Sequence, residues 1–325
     1  MQKQESHSQA AILGLQHLLA MYSGSILVPI MIAGALGYNA HQTNLPHLLQ
    51  ISSCVGGSNF PFKCWLNKYF GIGLPVVLGV AFQSVAPLSM IGASHGSGAM
   101  FGALIVSGIY VILVSGFFSK IANLFPSIVT GSVITTIGLT LIPVAIGNMR
   151  GITTTKPTVQ SLILAVITIL IILVVNIYTT GFIKSISILI GLIVGTAIAA
   201  SMGLVDFTPV SQAPVVHVPT PFFFGAPKFE ITSILMMCII ATVSMVESTG
   251  VYLALSDITK DPINSTRLRN GYRAEGLAVL LGGIFNTFPL HWILTKRWLG
   301  EIVWYQDSST NLLRGWFPCP SWSPS

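Results

Sequence analysis

The sequence predicts an all-α polytopic membrane protein. Hydrophobic residues make up 52% of the 325-residue chain and charged residues only 7%, and the mean hydropathy is +0.79. A soluble globular domain carries about 25% charged residues, so this composition excludes a soluble fold. Apolar stretches of about 20 residues, enough to cross roughly 30 Å of hydrocarbon as a helix, recur along the chain.

These stretches predict the membrane spans in chain order: Ala11–Gly34, Leu74–Ile91, Met100–Phe118, Ile128–Ile146, Leu162–Tyr178, Ile186–Leu204, Ile231–Leu255 and Leu277–Phe288. A further stretch, Leu45–Cys64, contains two prolines and two adjacent glycines and is a poor spanning helix. The first span is too long for the apolar part of a signal peptide, so we expect it to be retained.

The orientation follows from the basic residues, because short cytoplasmic loops collect Lys and Arg. With a cytoplasmic N-terminus, most basic residues between the spans lie inside, including a cluster from Lys260 to Arg273. Only Arg150, Lys156 and Lys228 fall outside. The formal charge of +6 reflects this bias. It does not indicate nucleic-acid binding, because the basic residues are scattered over loops.

Glu247 is the most informative residue, because it is the one charge inside the apolar run Ile231–Leu255. An acid near the bilayer centre costs roughly 2.5–3.5 kcal/mol on insertion scales. Such acids usually face the interior of a helix bundle or a wet cavity and handle ligands or protons. Glu247 therefore predicts a functional site within the membrane.

Two segments are interrupted by proline and glycine. Leu74–Pro87 has Pro75 and Pro87 at its ends and Gly79 between them, and Gly282–Pro289 has a comparable composition. Proline removes a backbone donor, so we expect these segments to be part helix and part extended. Freed backbone groups are tolerated in lipid only inside protein or beside a cavity, and transporters with inverted repeats place them at the substrate site. Ordinary proline kinks in packed spans are the alternative.

No pattern indicates covalent chemistry. The four cysteines have neither metal-ligand nor disulfide spacing, and His17 and His95 lie singly near membrane ends or interiors. The sequence contains no nucleophile–base pair, metal cluster or phosphate loop, so we expect neither an enzyme nor a cofactor other than a coupling ion.

Several motifs together carry a family resemblance. They are Leu-Gln-His-Leu-Leu-Ala-Met at 15–21, Gly-Ile-Gly-Leu-Pro at 71–75, Val-Glu-Ser-Thr-Gly-Val-Tyr at 246–252, and Arg-Ala-Glu-Gly-Leu at 273–277 before Gly282 and Gly283. In this order, they resemble the nucleobase-ascorbate transporter family, also called nucleobase:cation symporter two. Within it, the bacterial xanthine and uracil permeases are the most similar group.

The resemblance implies a substrate-binding role for three residues. Glu247 matches the glutamate of the eighth span that hydrogen-bonds the base; an ionised carboxylate can accept from two adjacent ring N–H groups. Phe82 and Ala81 match the turn of the third span, where backbone amides contact the base and the ring stacks on it. Without the resemblance, Phe82 is equally explained as core.

The resemblance implies a supporting or coupling role for three further residues. Glu275 matches an acid at the start of the ninth span, and Gln16 and His17 match a first-span pair behind the site. Glu275 is alternatively a juxtamembrane acid paired with a nearby arginine. Some relatives carry His or Asp where this chain has Val251, which argues against a coupling scheme that needs a second ionisable group there.

The family fold implied is two inverted repeats of seven spans arranged as a core and a gate domain, often dimeric. The matching boundaries are 1–127 for core spans one to four, 128–228 for gate spans five to seven with an external loop, and 229–289 for core spans eight, nine and the start of ten. About nine spans are retained. The implied function is secondary active, cation-coupled uptake of xanthine, a related purine or uracil, with H⁺ as the expected coupling ion.

After Pro289 the sequence loses its apolar period, and residues 290–325 hold five of the six tryptophans. One codon choice for Leu290–Arg297, shifted by one base, encodes Tyr-Thr-Gly-Phe-Ser-Gln-Asn, which matches the family's tenth-span signature. A one-base shift around Gly57–Phe62 likewise yields Val-Ala-Thr-Phe-Leu. We therefore predict that 45–64 and the 290–325 tail are out of frame. If the sequence is literal, the alternative function is a non-transporting, truncated membrane fragment.

Overall fold

The computed structural model describes residues 27–34, 36, 70–72, 77–122, 127–149, 159–180, 183–184, 186–205, 220–259 and 262–293. The elements in chain order are strand β1 (Val77–Val80), the 3-10 turn Phe82–Ser84, helices α1 (Val85–Ile121), α2 (Ser127–Met149), α3 (Val159–Tyr178), α4 (Ser187–Ser201), α5 (Ile231–Thr259) and α6 (Ser265–Ile284), and strand β2 (Leu290–Ile293). Residues 27–34 are also helical. The fold is mostly helical, so the prediction of a purely helical fold is wrong only for the two short strands.

Helix α1 contains two of the predicted spans, Leu74–Ile91 in part and Met100–Phe118 entirely. The helix is interrupted at Gly96, whose φ of 81° and ψ of 172° lie outside the helical region. A residue with a side chain rarely adopts a positive φ, which explains glycine at this turn. The two arms of α1 therefore correspond to two predicted spans joined at Gly96.

The first interrupted segment pairs with the residues that directly follow the second. β1 and β2 are antiparallel, with Val77 opposite Ile293 and Val80 opposite Leu290. The prediction that Leu74–Pro87 is part extended and part helical is confirmed, because β1, the 3-10 turn and α1 follow one another there. Pairing supplies partners to backbone groups that lipid would leave unsatisfied.

The helix predicted at Leu277–Phe288 has different bounds. α6 begins at Ser265, where the side chain of Asn264 accepts a hydrogen bond from the Arg267 amide at 2.9 Å. The prediction began too late because the charged residues in the first half of α6 lower its hydropathy, although helical backbone and an N-cap suit them well. The helix also ends before Phe288, and Asn286 adopts a positive φ of 57°.

Helices α1 and α6 pack closely through glycines. A Cβ atom on Gly276 would lie 2.8 Å from the Gly108 carbonyl oxygen, and one on Gly108 would lie 2.5 Å from the Leu280 amide nitrogen. Helix α5 also contacts α1, where the Tyr110 and Thr242 hydroxyl groups are 2.9 Å apart. These three helices form most of the described core, and α5 and α6 contact β2.

The outer surfaces of the described helices are apolar. No residue of α3 is buried, although its segment Val159–Tyr178 has a mean hydropathy of 2.8. By length and composition, Val159–Tyr178, Phe82–Ile121 and Ile231–Ala254 can each cross a membrane, and Gly131–Gly147 and Ser187–Ser201 are shorter apolar helices. Three features stay predictions: the number of about nine spans, the repeat architecture, and the core and gate boundaries.

Some predictions lie outside the described residues. These are most of the first span, the stretch Leu45–Cys64, and the tail beyond Ile293. The predicted domain boundary at residue 290 lies at the first residue of β2, so the paired backbone continues four residues past that boundary, to Ile293.

Candidate functional site

The centre of the site is the junction between β1 and the 3-10 turn. Ala81 lies there in an extended conformation, with φ −76° and ψ 108°, and is 2% exposed. Its amide donates to the Pro289 carbonyl at 2.8 Å, and its carbonyl accepts from the Ser84 hydroxyl at 2.6 Å. The main-chain groups of Ala81 are therefore engaged within the protein.

The 3-10 turn brings the start of α1 to this junction. The first amides of a helix have no acceptor within it and carry the positive end of its dipole. Phe82 is partly buried and packs against the core, as the alternative interpretation of this residue allowed. Gln83 is 7% exposed, and its side-chain amide donates to the Ser244 hydroxyl of α5 at 2.7 Å.

Glu275 is a buried carboxylate beside the junction. It lies on α6 and is 1% exposed, and its Oε2 accepts a hydrogen bond from the Ser248 hydroxyl at 2.8 Å. One turn away, the Thr249 and Tyr272 hydroxyl oxygens are 2.5 Å apart and also link α5 to α6. This burial argues against a surface acid at the membrane edge. The coupling role of Glu275 stays a prediction.

Glu247 lies on α5 between Ser244 and Ser248 and is half-buried, with its Oε2 buried. Residues three and four apart share one helix face, so these three polar side chains form one stripe. Glu247 does not belong to the described wall of the cavity that Ser244 lines. Its contact with substrate stays a prediction, and so do the roles of Gln16 and His17, which lie outside the described residues.

A small cavity lies where α1, α5, α6 and the paired segments meet. Its volume is about 20 Å³, which has room for about one water molecule. The polar residues that line it include Ser84, Ser107, Ser244 and Glu275, and Ala81 and Pro289 also line it. A planar base would require its walls to move apart. Ala81 and Glu275 thus line one cavity, and their roles in binding and coupling stay predictions.

Sequence reasoning missed Gln83, Ser244 and Ser248. Serine is common in membrane helices, where it usually bonds its own backbone, so its presence alone is not a signal. The available signal was helical spacing, because Ser244 lies three residues before Glu247 and four before Ser248. Within the described part of the chain, no group of three or more metal-ligating side chains occurs.

Broken segments joined within a bundle of apolar helices, with a buried carboxylate beside them, are typical of membrane transport proteins. The fold of this chain is similar to the transmembrane domain of a cyanobacterium bicarbonate transporter, BicA. The TM-score is 0.57 at 13% sequence identity, over 94% of this chain and 79% of that one.

The chain belongs to the permease family Xan_ur_permease, whose family model matches residues 8–293. It is 47% identical over 291 residues to the uric acid permease PucK of Bacillus subtilis (strain 168), which covers 89% of this chain and 67% of PucK. It is 50% identical over 279 residues to the xanthine permease of the same organism, covering 85% and 63%. The uric acid transporter UacT of Escherichia coli (strain K12) is 33% identical over 293 residues, covering 87% and 60%.

These relatives confirm the predicted permease family, whose members named above are transporters and not enzymes. They also confirm a multi-pass protein of the cell membrane. The chain spans about two thirds of the length of PucK and slightly less of the other two relatives.

Proposed function

We propose that the whole protein is a secondary active permease that takes up a nucleobase across the cell membrane, coupled to a cation. The substrate is xanthine or a related purine such as uric acid, with uracil as the other candidate. The observation that carries the proposal is that Ala81 at the junction, Ser244 and the buried Glu275 line one cavity. The names of the relatives support the same substrate class.

The proposed binding mode uses complementary hydrogen bonds. An ionised carboxylate accepts from ring N–H groups, and we assign this role to Glu247. Because the Ala81 amide is taken by Pro289, backbone donors to the base come from the next amides, those of Phe82 and Gln83. The ring of Phe82 stacks on the base after the cavity widens.

The proposed transport cycle is alternating access, in which one domain rocks against the other around the fixed site. Glu275, together with Gln16 and His17, supports coupling, and we propose H⁺ as the coupling ion. A buried carboxylate bonded to a hydroxyl group is suited to gain and lose a proton during such a cycle. We also propose that the protein can form a homodimer.

Uptake measurements test this function. A host without purine permeases would express either this 325-residue chain or a full-length version with a restored tenth span, and would receive labelled xanthine, uric acid or uracil. Saturable uptake by the full-length version supports the proposal, and its absence for all three bases contradicts it. Uptake by the full-length version alone, with the shorter chain inserted but inactive, would assign the chain the alternative function of a non-transporting fragment.

A further inference from the structure

The Ser244 hydroxyl group has an unusual hydrogen-bonding position for a serine within an apolar helix. It accepts the Gln83 side-chain amide at 2.7 Å, and both residues are more than nine-tenths buried. A hydroxyl group has one proton to donate and two lone pairs. Because the Gln83 N–H occupies a lone pair, the Ser244 proton must be donated elsewhere.

The usual acceptor for such a proton is the carbonyl one turn earlier in the same helix. On α5, Thr242 donates to the Cys238 carbonyl at 3.0 Å and Thr249 to the Met245 carbonyl at 2.6 Å. Ser107, which also lines the cavity, donates to the Leu104 carbonyl at 2.9 Å. The Ser244 hydroxyl donates no hydrogen bond to another residue of the described ranges, and Ser244 lines the cavity.

We infer that Ser244 is a substrate-binding residue that donates a hydrogen bond to a ring carbonyl oxygen of the base, and that Gln83 is the positioning residue that holds it as a donor. This inference rests on the proposed function. A carbonyl oxygen is a strong acceptor, whereas an exocyclic amino group at the same ring position is a donor and would face the Ser244 proton. The pair therefore selects an oxo-substituted base at that position.

The geometry also explains how Gln83 can affect selectivity for the base although it acts through Ser244. If its side chain accepted instead of donating, the Ser244 proton would turn toward it and away from the cavity. The direction of this one hydrogen bond thus decides whether Ser244 presents a donor or an acceptor to the base. Glu275 lines the same cavity and its carboxylate is an acceptor, so after the cavity widens these two residues can offer both a donor and an acceptor to a base with adjacent C=O and N–H groups.

Thio analogues test the inference in the full-length protein, because sulfur is a weak acceptor in the place of the carbonyl oxygen. The measurement is the inhibition constant of xanthine, 2-thioxanthine and 6-thioxanthine against labelled xanthine uptake, with binding to the purified protein as a second readout. We expect the parent protein to prefer xanthine over one of the two analogues. Ser244→Ala should weaken xanthine binding by about two- to tenfold and abolish that preference.

Three variants separate a hydrogen bond from packing. Ser244→Thr keeps the hydroxyl and should keep the preference. Gln83→Glu keeps the size of residue 83 but replaces its donor by an acceptor, so it should lose the preference although Ser244 is intact. Ser107→Ala removes a hydroxyl from the same wall whose proton is already bonded to Leu104, and it should keep the preference of the parent.

The outcomes distinguish this inference from the proposed function. A parent protein that neither takes up nor binds a nucleobase contradicts the proposed function, and the inference fails with it. Uptake by the parent without a preference between xanthine and either thio analogue overturns the inference alone. The inference is also overturned if both Ser244→Ala and Gln83→Glu keep the preference of the parent. This result applies provided that Ser244→Thr is inserted in the same amount as the parent.

Discussion

The backbone amide of Ala81 donates to the carbonyl of Pro289 at 2.8 Å and extends the β1–β2 pairing to the last residue before the 3-10 turn. This bond joins the two interrupted segments at the point where the helical part of the first begins. Since the Ala81 amide is engaged, a variant that removes only its methyl group should affect the site through packing. In the proposed binding mode, the donors for a base belong to the turn that follows.

Replacing Glu247 by Gln should abolish saturable uptake in the full-length protein while leaving insertion intact. The amide keeps the shape but loses the charge and offers one acceptor oxygen instead of two. A hydrogen bond to a charged group contributes about 1.5–3 kcal/mol, so affinity should fall at least about tenfold. Labelled xanthine uptake and quantitative immunoblotting of membranes measure the two effects.

Glu230→Gln is the matched control for this prediction. Glu230 lies just before α5, where its carboxylate accepts from the Thr232 amide at 3.2 Å. It should keep most of the uptake of the parent. Equal uptake in the Glu247→Gln variant and the parent would refute the assignment of Glu247 to the base.

Replacing Glu275 by Gln should lower accumulation of substrate more than exchange of substrate. A carboxamide cannot gain and lose a proton, but it can still accept a hydrogen bond from Ser248. Proteoliposomes with an imposed proton gradient measure accumulation, and counterflow without a gradient measures exchange. Ser248→Ala, which keeps the carboxylate, is the control and should retain more accumulation. Transport that follows sodium and ignores a protonophore would contradict proton coupling.

Adding a methyl group at the crossing of α1 and α6 should destabilise the protein. In a Gly108→Ala variant, the new Cβ would lie 2.5 Å from the Leu280 amide nitrogen, a backbone atom that cannot rotate away. Overpacking of this kind costs about 1–3 kcal/mol. Thermal unfolding in detergent should show a lower Tm. Gly138→Ala on α2 is the control, because no atom lies within 4 Å of its new Cβ; a fall in Tm as large as that of Gly108→Ala would contradict this explanation.

Resequencing the gene should reveal single-base changes between codons 40 and 70 and from codon 285 onward. The expected product after correction carries the Gln-Asn signature of the tenth span. The family model matches through residue 293 and so includes β2, but it does not reach the remainder of the tail. Unchanged sequence at both places would refute the frame hypothesis and favour the non-transporting alternative.

Local chemistry predicted most of the helices and both interrupted segments. The apolar run from Ile231 became α5, and proline and glycine marked the break before α1. The pairing of β1 with β2 was not predictable, because it joins short segments far apart in sequence without an alternating pattern. The start of α6 was missed because its arginines hide a helix from a hydropathy criterion. Ser244 was missed because its significance depends on Gln83, a partner that only the fold brings near.

The β1–β2 ladder and the Ala81–Pro289 hydrogen bond join the two interrupted segments into one rigid unit. If β1 slid past β2, backbone amides and carbonyls would lose their hydrogen-bond partners, and neither lipid nor packed side chains would supply others. The ladder therefore resists sliding of the two strands. Ala81 and Pro289, and with them the start of α1 and the end of α6, must then travel together. A base bound there would move with this rigid unit. Access to either side of the membrane would change at the surfaces between this unit and the rest of the protein.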